Sequence, residues 1–214
     1  MGWSMNSRCY IVGAGEFTGR WLPEASDYVI AADAGYTRLG ECGIVPDLVV
    51  GDFDSLGALP EHPKILQSPA EKDETDMMLA VRQGLACGCR AFIIDGALGG
   101  RLDQTYANFQ ILANISNNDA RGILLGKEMC ATAIRNGSAV FSKAAQGYIS
   151  VFSAGDRAEG VTLEGLKYPL NNATLTYDFP LGCSNEFVGA AATVSVRVGT
   201  LIIIWAGEVL WLDF

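Results

Sequence analysis

The sequence predicts two domains of different class: an α/β domain with a mostly parallel sheet and helices on both faces, then an all-β sandwich domain. Up to about residue 126, apolar strand-like runs alternate with segments of helical spacing. After Lys127, short β-rich runs recur and are separated by turn dipeptides. The turn-forming segment 116–121 marks the change, so the predicted domains are residues 1–120 and 121–214.

The elements of the first half follow from its apolar spacing. Near-continuous apolar runs separated by helices are typical of parallel strands that are covered on both faces. The predicted helices are a short one ending near Gly40, then Glu74–Leu85 and Leu102–Ile115, the last burying Leu102, Tyr106, Phe109 and Leu112. The predicted strands are Cys9–Val12, Tyr28–Ala32, Asp47–Val50, the short Ile65–Leu66, Ala91–Ile94 and Gly122–Leu125.

The second half has the spacing of an antiparallel sandwich or barrel. Its β-rich runs are divided by turn dipeptides such as Asn136-Gly137 and Gly155-Asp156. The predicted strands are Cys130–Ile134, Tyr148–Phe152, Ala173–Tyr177, Thr193–Val198, Leu201–Trp205 and Glu208–Leu212.

Charge and hydropathy exclude several classes of protein. The net charge is −9, from 15 basic and 24 acidic side chains, and this argues against nucleic-acid binding and against docking on anionic lipid. The longest apolar stretch, Leu201–Ala206, is far shorter than the roughly 20 residues of a transmembrane helix. Because the N-terminus has no signal-peptide pattern, we expect a cytoplasmic protein whose six cysteines are reduced and mostly buried.

The sequence contains a single histidine, His62, next to Pro63 in a predicted loop. Catalytic triads, His-rich zinc sites and facial-triad iron sites all need imidazole near the chemistry. We therefore expect carboxylates, lysine, arginine and a metal ion to carry whatever reaction this protein performs.

Aspartates follow several of the predicted strands: Asp33, the pair Asp52 and Asp54, and Asp95. Ligands of an open parallel sheet bind beyond the carboxyl ends of its strands. An extended backbone would point Asp52 and Asp54 the same way, and two close carboxylates are stabilised together by a hard divalent cation. Turn formation is the alternative role, since Asp is common after strands.

The segment Glu71–Met77 leads into a predicted helix and has two compatible interpretations. In one, Asp73 is the N-cap and Asp76 occupies the third position of a capping box. In the other, Asp76 lies near a metal ion and Lys72 contacts a phosphate, at a helix N-terminus that already favours anions.

A glycine-rich turn precedes the next predicted helix. Gly99 and Gly100 allow close backbone approach to a ligand, and Arg101 presents a fork of donors suited to phosphate oxygens. Asp103 follows two residues later. The chain has no P-loop motif, and the segment Gly13–Gly19 fits a dinucleotide fingerprint loosely.

Five segments together resemble the thiamine pyrophosphokinase family, in the family's order and over most of the chain. They are Asp33-Ala-Gly35, Gly51-Asp-Phe-Asp-Ser55, Lys72-Asp-Glu-Thr-Asp76, Gly99-Gly-Arg-Leu-Asp103 and Ser184-Asn-Glu-Phe187. The sequence departs from the family's pattern at Ala34, where many members have glycine, and at Gln104, where many bacterial members have histidine.

The resemblance implies a set of functional residues. It implies metal ligation by Asp52, Asp54 and Asp76, and places Ser184 and Asn185 on the thiamine side. The predicted catalytic residues are Asp54, Asp76, Lys72 and Arg101. The predicted binding residues are Asp33, Asp52, Ser55, Asp73, Thr75, Gly99, Gly100, Asp103, Ser184 and Asn185.

The resemblance also implies a reaction and an assembly. A pyrophosphoryl group would pass from Mg-ATP to the hydroxyl of thiamine, with release of AMP, in a homodimer whose sites lie near the subunit interface. Trp205 and Trp211 are candidate walls for the thiamine ring, with core packing as the alternative for each. Two other functions stay open: a pyrophosphokinase acting on a hydroxymethylpterin, and a nucleotide-sensing module without catalysis.

Overall fold

The structure, a computed structural model, describes residues 8–53, 61–67 and 73–207. The chain forms two compact units: Met1–Ile111 with Leu124–Lys127, and Leu112–Ile123 with Glu128–Phe214. The division passes through a helix and a strand near residues 111–124, so the domain boundary near residue 120 stays a prediction.

The first unit contains a parallel sheet, as predicted. Its strand order is β5-β1-β2-β3-β4, and each neighbouring pair is parallel. Helix α3 and strand β6 are shared between the two units. The elements are β1 (Arg8–Val12), β2 (Tyr28–Ala32), α1 (Gly35–Glu41), β3 (Leu48–Gly51), β4 (Ile65–Gln67), α2 (Asp76–Ala86), β5 (Ala91–Asp95), α3 (Leu102–Asn117) and β6 (Arg121–Leu125).

The buried strands fix where this sheet presents polar groups. Strand β2 is buried at every position and β1 at every position after Arg8, so these strands offer little polar surface along their length. Parallel strands all end at one edge, and polar side chains can reach a ligand there. The turns after β2 and β3 carry Asp33 and Asp52 at that edge, and Asp95 is the last residue of β5.

Helix α3 buries a different stripe from the predicted one. Leu102 and Tyr106 are 82% and 49% exposed, so the expectation that they face the core is wrong. The buried apolar positions start later, at Ile111, Leu112 and Ile115, which recur at the spacing of one helix face. The first turn of the helix instead borders the cavity described below.

The second unit contains two antiparallel sheets, which confirms the all-β expectation. One has the order β12-β9-β14-β7, and the other has the order β11-β10-β13-β8. The run Glu208–Leu212 lies outside the described residues. The strands are β7 (Met129–Arg135), β8 (Ser138–Phe141), β9 (Tyr148–Ser153), β10 (Arg157–Glu164), β11 (Leu170–Thr176), β12 (Gly182–Glu186), β13 (Ala192–Ser195) and β14 (Thr200–Ala206).

Strands β8, β10 and β12 were not predicted, for local reasons. Strand β8 is four residues long, and β12 has the sequence Gly-Cys-Ser-Asn-Glu, which is poor in β-branched and aromatic residues. Strand β10 contains Gly160, and its pairing with β11 shifts register on either side of Val161. Such bulges break the alternation by which strands are recognised.

Aromatic side chains fill the space between these two sheets. Trp205 on β14 is fully buried, and its ring lies 5.4 Å from that of Phe141 on β8. Phe187 lies 5.3 Å from Phe141 on another side. Core packing is therefore the role of Trp205, while Trp211 lies outside the described residues.

The structure also describes the pairing and burial of the cysteines and the apolar character of the helices. No disulfide occurs in the part of the chain that the structure describes. Cys9, Cys89 and Cys130 are buried, whereas Cys42 and Cys183 are exposed. Among the described helices, none combines the length and the apolar character needed to cross a bilayer.

A pair of glycines in α1 tests how tightly this helix meets the sheet. A Cβ at Gly35 would lie 2.0 Å from the carbonyl oxygen of Val12, whereas a Cβ at Gly40 would meet nothing within 4 Å. We expect Gly35→Ala to lower the free energy of unfolding by about 1–3 kcal/mol, because the backbone must move. Gly40→Ala, the control, should raise it by about 0.5–1 kcal/mol. Urea denaturation measures both, and equal effects of the two variants would contradict the close contact.

Candidate active site

A cavity of about 640 Å³ opens at the carboxyl edge of the parallel sheet. Turns after four strands and the first turns of two helices form its walls, and all of these belong to the first unit. The lining residues are Gly13, Ala14, Gly15, Ala32, Asp33, Asp52, Glu74, Thr75, Asp76, Met77, Gly96, Ala97, Gly99, Gly100, Arg101, Gln104 and Asn108.

The cavity brings together several of the residues predicted from the sequence. They are Asp33, Asp52, Thr75, Asp76, Gly99, Gly100 and Arg101. Asp73 and Asp103 are exposed and are not among its lining residues. Asp54, Ser55 and Lys72, which were also predicted, lie outside the described residues.

Asp33 is held at the cavity by its backbone. Its φ of +50° lies in the left-handed region, which Asp tolerates better than most residues. The Asp33 N–H donates to the carbonyl of Val50 at 2.8 Å, and its own carbonyl accepts from the Tyr36 N–H at 3.1 Å. These two bonds tie the end of β2 to β3 and to α1, so the position of the carboxylate follows from the fold.

The turn after β3 differs from the extended geometry expected for Asp52 and Asp54. Strand β3 ends at Gly51, and Phe53 has a φ of +63°, a strained value for a large side chain. Phe53 is 3% exposed, so its ring lies in the core. The extended backbone expected between Asp52 and Asp54 is therefore wrong at Phe53, because the left-handed φ of this residue bends the chain.

The donor set suits a hard divalent cation in kind. Asp33, Asp52 and Asp76 supply carboxylate oxygens to one cavity, and Mg²⁺ binds through oxygen ligands. Within residues 8–53, 61–67 and 73–207, no three His, Cys, Asp or Glu side chains are grouped closely enough to hold a metal ion by themselves. Asp54 lies outside these ranges, so the complete ligand set stays a prediction.

Helix α2 begins two residues later than the capping interpretation required. The N-cap is Thr75, whose hydroxyl accepts a hydrogen bond from the Met78 N–H at 3.1 Å. Asp73 is thus not the cap, and Asp76 is the first helical residue rather than the third position of a capping box. The Thr75 hydroxyl satisfies one free N–H of the helix end, and Asp76 lies in the first turn at the cavity, where a carboxylate is favoured by the helix dipole.

Arg101 faces the cavity from the glycine-rich turn before α3. Its guanidinium donates to both carboxylate oxygens of Asp103, at 3.1 and 2.5 Å. This pair lowers the pKa of the Asp103 carboxyl and raises that of Arg101. Both side chains are exposed, so the guanidinium is held at the mouth of the cavity by a contact that water screens.

Two lining residues on α3, Gln104 and Asn108, were not predicted from the sequence as part of the site. Arg101, Gln104 and Asn108 are spaced by three and four residues, so they share one helix face, and this spacing could have identified them. Asn108 is buried, and its amide donates to the Ala97 carbonyl at 2.6 Å. It thereby anchors the turn that carries the glycines.

The segment Gly13–Gly15 forms a wall by close backbone packing. The N–H of Gly13 donates to the Asp95 carbonyl at 2.8 Å, and that of Gly15 donates to the Gly96 carbonyl at 2.7 Å. A Cβ at Gly13 would lie 2.7 Å from the Gly96 oxygen. Since these amides are bonded within the protein, the segment does not act as a dinucleotide fingerprint, whose amides must face the ligand.

Asp95 does not join the carboxylates that line the cavity. Its side chain is fully buried and accepts hydrogen bonds from the N–H and hydroxyl of Thr18 and from the N–H groups of Gly19 and Gly96, at 2.7–3.1 Å. Burial raises the pKa of the Asp95 carboxyl, and these hydrogen bonds oppose the rise. Unlike Asp33 and Asp52, which line the cavity, Asp95 therefore serves to hold neighbouring backbone segments in place.

Ser184 and Asn185 lie in the second unit, on β12. Ser184 is exposed with a φ of +58°, and its N–H donates to the hydroxyl of Ser150 at 3.0 Å. Asn185 is 3% exposed and bonds both the N–H and the carbonyl of Tyr168. The Asn185 side chain thus holds two segments together, whereas the Ser184 side chain lies at the surface.

Two family models match the chain. The model described as thiamin pyrophosphokinase, catalytic domain, matches residues 20–124. The model described as thiamin pyrophosphokinase, vitamin B1 binding domain, matches residues 140–201. The first match contains Asp33, Asp52, Asp76 and Arg101, and the second contains Ser184 and Asn185.

Curated and solved relatives agree with these matches. The chain is 32% identical to a thiamine pyrophosphokinase of Bacillus subtilis over 196 residues, covering 86% of this chain and 92% of that one. A crystal structure of the Bacillus subtilis protein superposes with a TM-score of 0.84 at 28% identity, covering 95% of this chain and all of the other. One from Geobacillus thermodenitrificans gives 0.79 at 27% identity, covering 96% and 100%.

The cap of α2 gives a test of the local geometry. Thr75→Ala removes the hydroxyl that accepts from the Met78 N–H, so we expect the free energy of unfolding to fall by about 1 kcal/mol. Thr75→Ser keeps the acceptor and should stay within about 0.3 kcal/mol of the parent. Chemical denaturation compares them, and an unchanged stability of the alanine variant would contradict the assigned cap.

Proposed function

This chain belongs to the thiamine pyrophosphokinase family, and we propose that the cavity of its first unit binds ATP with Mg²⁺ for the family's reaction. The protein is an ATP-dependent diphosphotransferase. In the reaction, the hydroxyl oxygen of thiamine forms a bond to the β-phosphorus of ATP. The bond from that phosphorus to the oxygen bridging the α-phosphate breaks, AMP leaves, and the hydroxyl proton is released.

One observation carries the proposal: three carboxylates and an arginine from different elements line the same cavity. Asp33, Asp52 and Asp76 lie with Arg101 at the carboxyl edge of a parallel sheet, where ligands of such sheets bind. A cavity of about 640 Å³ is in the size range of sites for drug-sized ligands and cofactors. Acidic and cationic groups in one cavity suit a triphosphate that is bound with a divalent cation.

We assign a task to each residue that was predicted to bind the metal ion or the phosphates. When bound, Mg²⁺ supplies positive charge against the phosphate oxygens, and we assign its ligation to Asp52, Asp54 and Asp76, with Asp33 beside them. Arg101 donates to phosphate oxygens as charge builds on them, after exchanging its Asp103 partner for the nucleotide. Lys72 adds a second cation, and Gly99 and Gly100 let the backbone approach the phosphates.

The remaining motif residues are assigned to nucleotide and thiamine binding. Ser55, Asp73 and Thr75 flank the metal-binding segments in sequence and extend the nucleotide site. On the thiamine side, the exposed hydroxyl of Ser184 is the group available to a substrate. Because the Asn185 amide is bonded to Tyr168, we assign Asn185 the task of holding the strand that presents Ser184.

The proposal extends to assembly and location. We propose a homodimer with its sites near the subunit interface, supported by the exposed apolar side chains Tyr177, Phe179 and Leu181 between β11 and β12. The absence of disulfides among the described residues supports a reducing compartment, and we propose the cytoplasm. Sedimentation equilibrium measures the mass, and a monomer at micromolar concentration would contradict the assembly.

The experiment that tests the function is an assay of thiamine-dependent AMP release, with and without EDTA. We expect AMP and thiamine diphosphate to form in equal amounts with Mg²⁺, and formation of both to stop when the metal is removed. Turnover with hydroxymethylpterin but not with thiamine would favour the pterin alternative. Binding of Mg-ATP without release of AMP would favour a nucleotide sensor.

Asp76 provides the sharpest mutational test. Since Thr75 caps the helix, Asp76→Asn should cost less than about 1 kcal/mol of stability. The rate of AMP release should fall by at least about 100-fold, because an electrostatic group at the phosphates is removed. Asp119→Asn, at an exposed turn, is the control and should retain full activity. Near-normal turnover of Asp76→Asn at limiting Mg²⁺ would refute the metal assignment.

Replacing Arg101 tests whether phosphate recognition depends on the geometry of the guanidinium group as well as on its charge. Arg101→Lys keeps the cation but loses the planar fork, so we expect kcat/KM for ATP to fall about tenfold or more. Arg38→Lys, which alters an exposed pair with Glu41, is the matched control. Steady-state kinetics compare the two, and equal values for both variants would remove Arg101 from the phosphate site.

A further inference from the structure

The buried carboxylate of Asp95 joins two walls of the cavity. It lies at the end of β5 and accepts from Thr18 at 2.9 Å through the N–H and at 2.8 Å through the hydroxyl. The N–H groups of Gly19 and Gly96 donate to it at 3.1 and 2.7 Å. All four donors are neutral, so oriented dipoles inside the fold stabilise the negative charge of the Asp95 carboxylate.

The segments that meet at Asp95 are the ones that shape the cavity. Gly13, Ala14 and Gly15 line it on one side, and Gly96 and Ala97 line it on the other. The backbone hydrogen bonds of Gly13 and Gly15 hold the near end of the first segment, whereas its far end, which includes Gly19, depends on a tether. The tether is Thr18, which lies three residues beyond the last lining glycine and bonds Asp95 twice.

The other side-chain contacts at the far end of this segment are weaker constraints. Glu16 forms an ion pair with Lys127 in which both side chains are largely exposed, so water and salt screen it. Arg20 donates to the Gly126 carbonyl at 2.7 Å, but it lies beyond Thr18 in the chain. We call the bonds between Thr18 and Asp95 the clamp. The bonds to Asp95 are the ones that combine burial, charge and direct attachment to the cavity wall.

We propose that Asp95 and Thr18 are positioning residues for the nucleotide: they hold the Gly13–Gly19 segment against the Gly96–Ala97 turn and so preform the ATP-binding wall. This inference rests on the proposed function, because it assigns ATP to the cavity. Neither residue contacts the reacting atoms in this scheme. Loss of the clamp should therefore weaken ATP binding more than it slows the chemical step.

Thr18→Val is the principal variant, because it keeps the shape of the side chain and removes its hydroxyl. We expect KM for ATP to rise about fivefold, which corresponds to about 1 kcal/mol, the typical net contribution of one hydrogen bond. The values of kcat and of KM for thiamine should stay within about twofold of the parent. Thr18→Ser restores the hydroxyl and should restore KM for ATP. Asp95→Asn, whose amide would face N–H donors, should have a larger effect than Thr18→Val.

Asp27→Asn separates positioning from general stability. Asp27 is also a buried carboxylate, bonded to Arg8 at 2.8 Å, but it precedes β2 at the sheet edge opposite the cavity. The Asp27→Asn variant should lower the melting temperature without changing KM for ATP. The clamp is overturned if Thr18→Val keeps the parent KM for ATP, or if Asp27→Asn raises KM equally at the same loss of stability.

Direct binding distinguishes this inference from the proposed function. Calorimetry with α,β-methylene ATP and Mg²⁺ measures affinity without turnover, and Thr18→Val should bind about fivefold more weakly than the parent. If the parent protein binds the analogue but releases no AMP from ATP in the presence of thiamine, the proposed function fails. The difference in affinity for the analogue between the parent and Thr18→Val then still tests the clamp. If the parent is active and Thr18→Val binds as tightly as the parent, the clamp fails alone.

Discussion

The close backbone packing of Gly13 and Gly15 against Gly96 is the constraint on which the cavity depends. A Cβ at Gly96 would lie 2.5 Å from the Gly13 oxygen, so neither turn could carry a side chain and keep this distance. The contact joins the ends of β1 and β5, which are neighbours in the sheet. Because these strands are fixed by their buried apolar residues, the turns between them form walls whose positions are set before any ligand arrives.

Burial divides the strand-end aspartates into two roles. Asp33 and Asp52 retain some exposure and line the cavity, where their charge can meet a cation. Asp95 is fully buried, and its carboxylate oxygens accept hydrogen bonds from Thr18, Gly19 and Gly96. The same residue type in the same topological position thus serves ligand binding in one turn and wall construction in another, according to the donors that the neighbouring loop supplies.

Some of the site could be predicted from sequence because its parts are local. A strand followed by Asp52, and a glycine pair followed by Arg101, are short patterns with a direct physical meaning. The helix cap was predicted at Asp73 but lies at Thr75, because both residue types cap helices and the two residues are close in sequence. Gln104 and Asn108 needed the knowledge that the α3 face behind Arg101 borders a cavity, which apolar spacing does not convey.

The sequence alone determined the division into an α/β half and a β half, the parallel character of the first sheet, and the gathering of acidic turns at one edge. These follow from periodicity and from the rule that parallel strands end together. Tertiary structure alone decided that the chain bends at Phe53 after Asp52, and that Asp95 points inward. Such choices depend on which distant donors and cavities meet a side chain, and contacts across 77 residues, as between Thr18 and Asp95, leave no mark on local patterns.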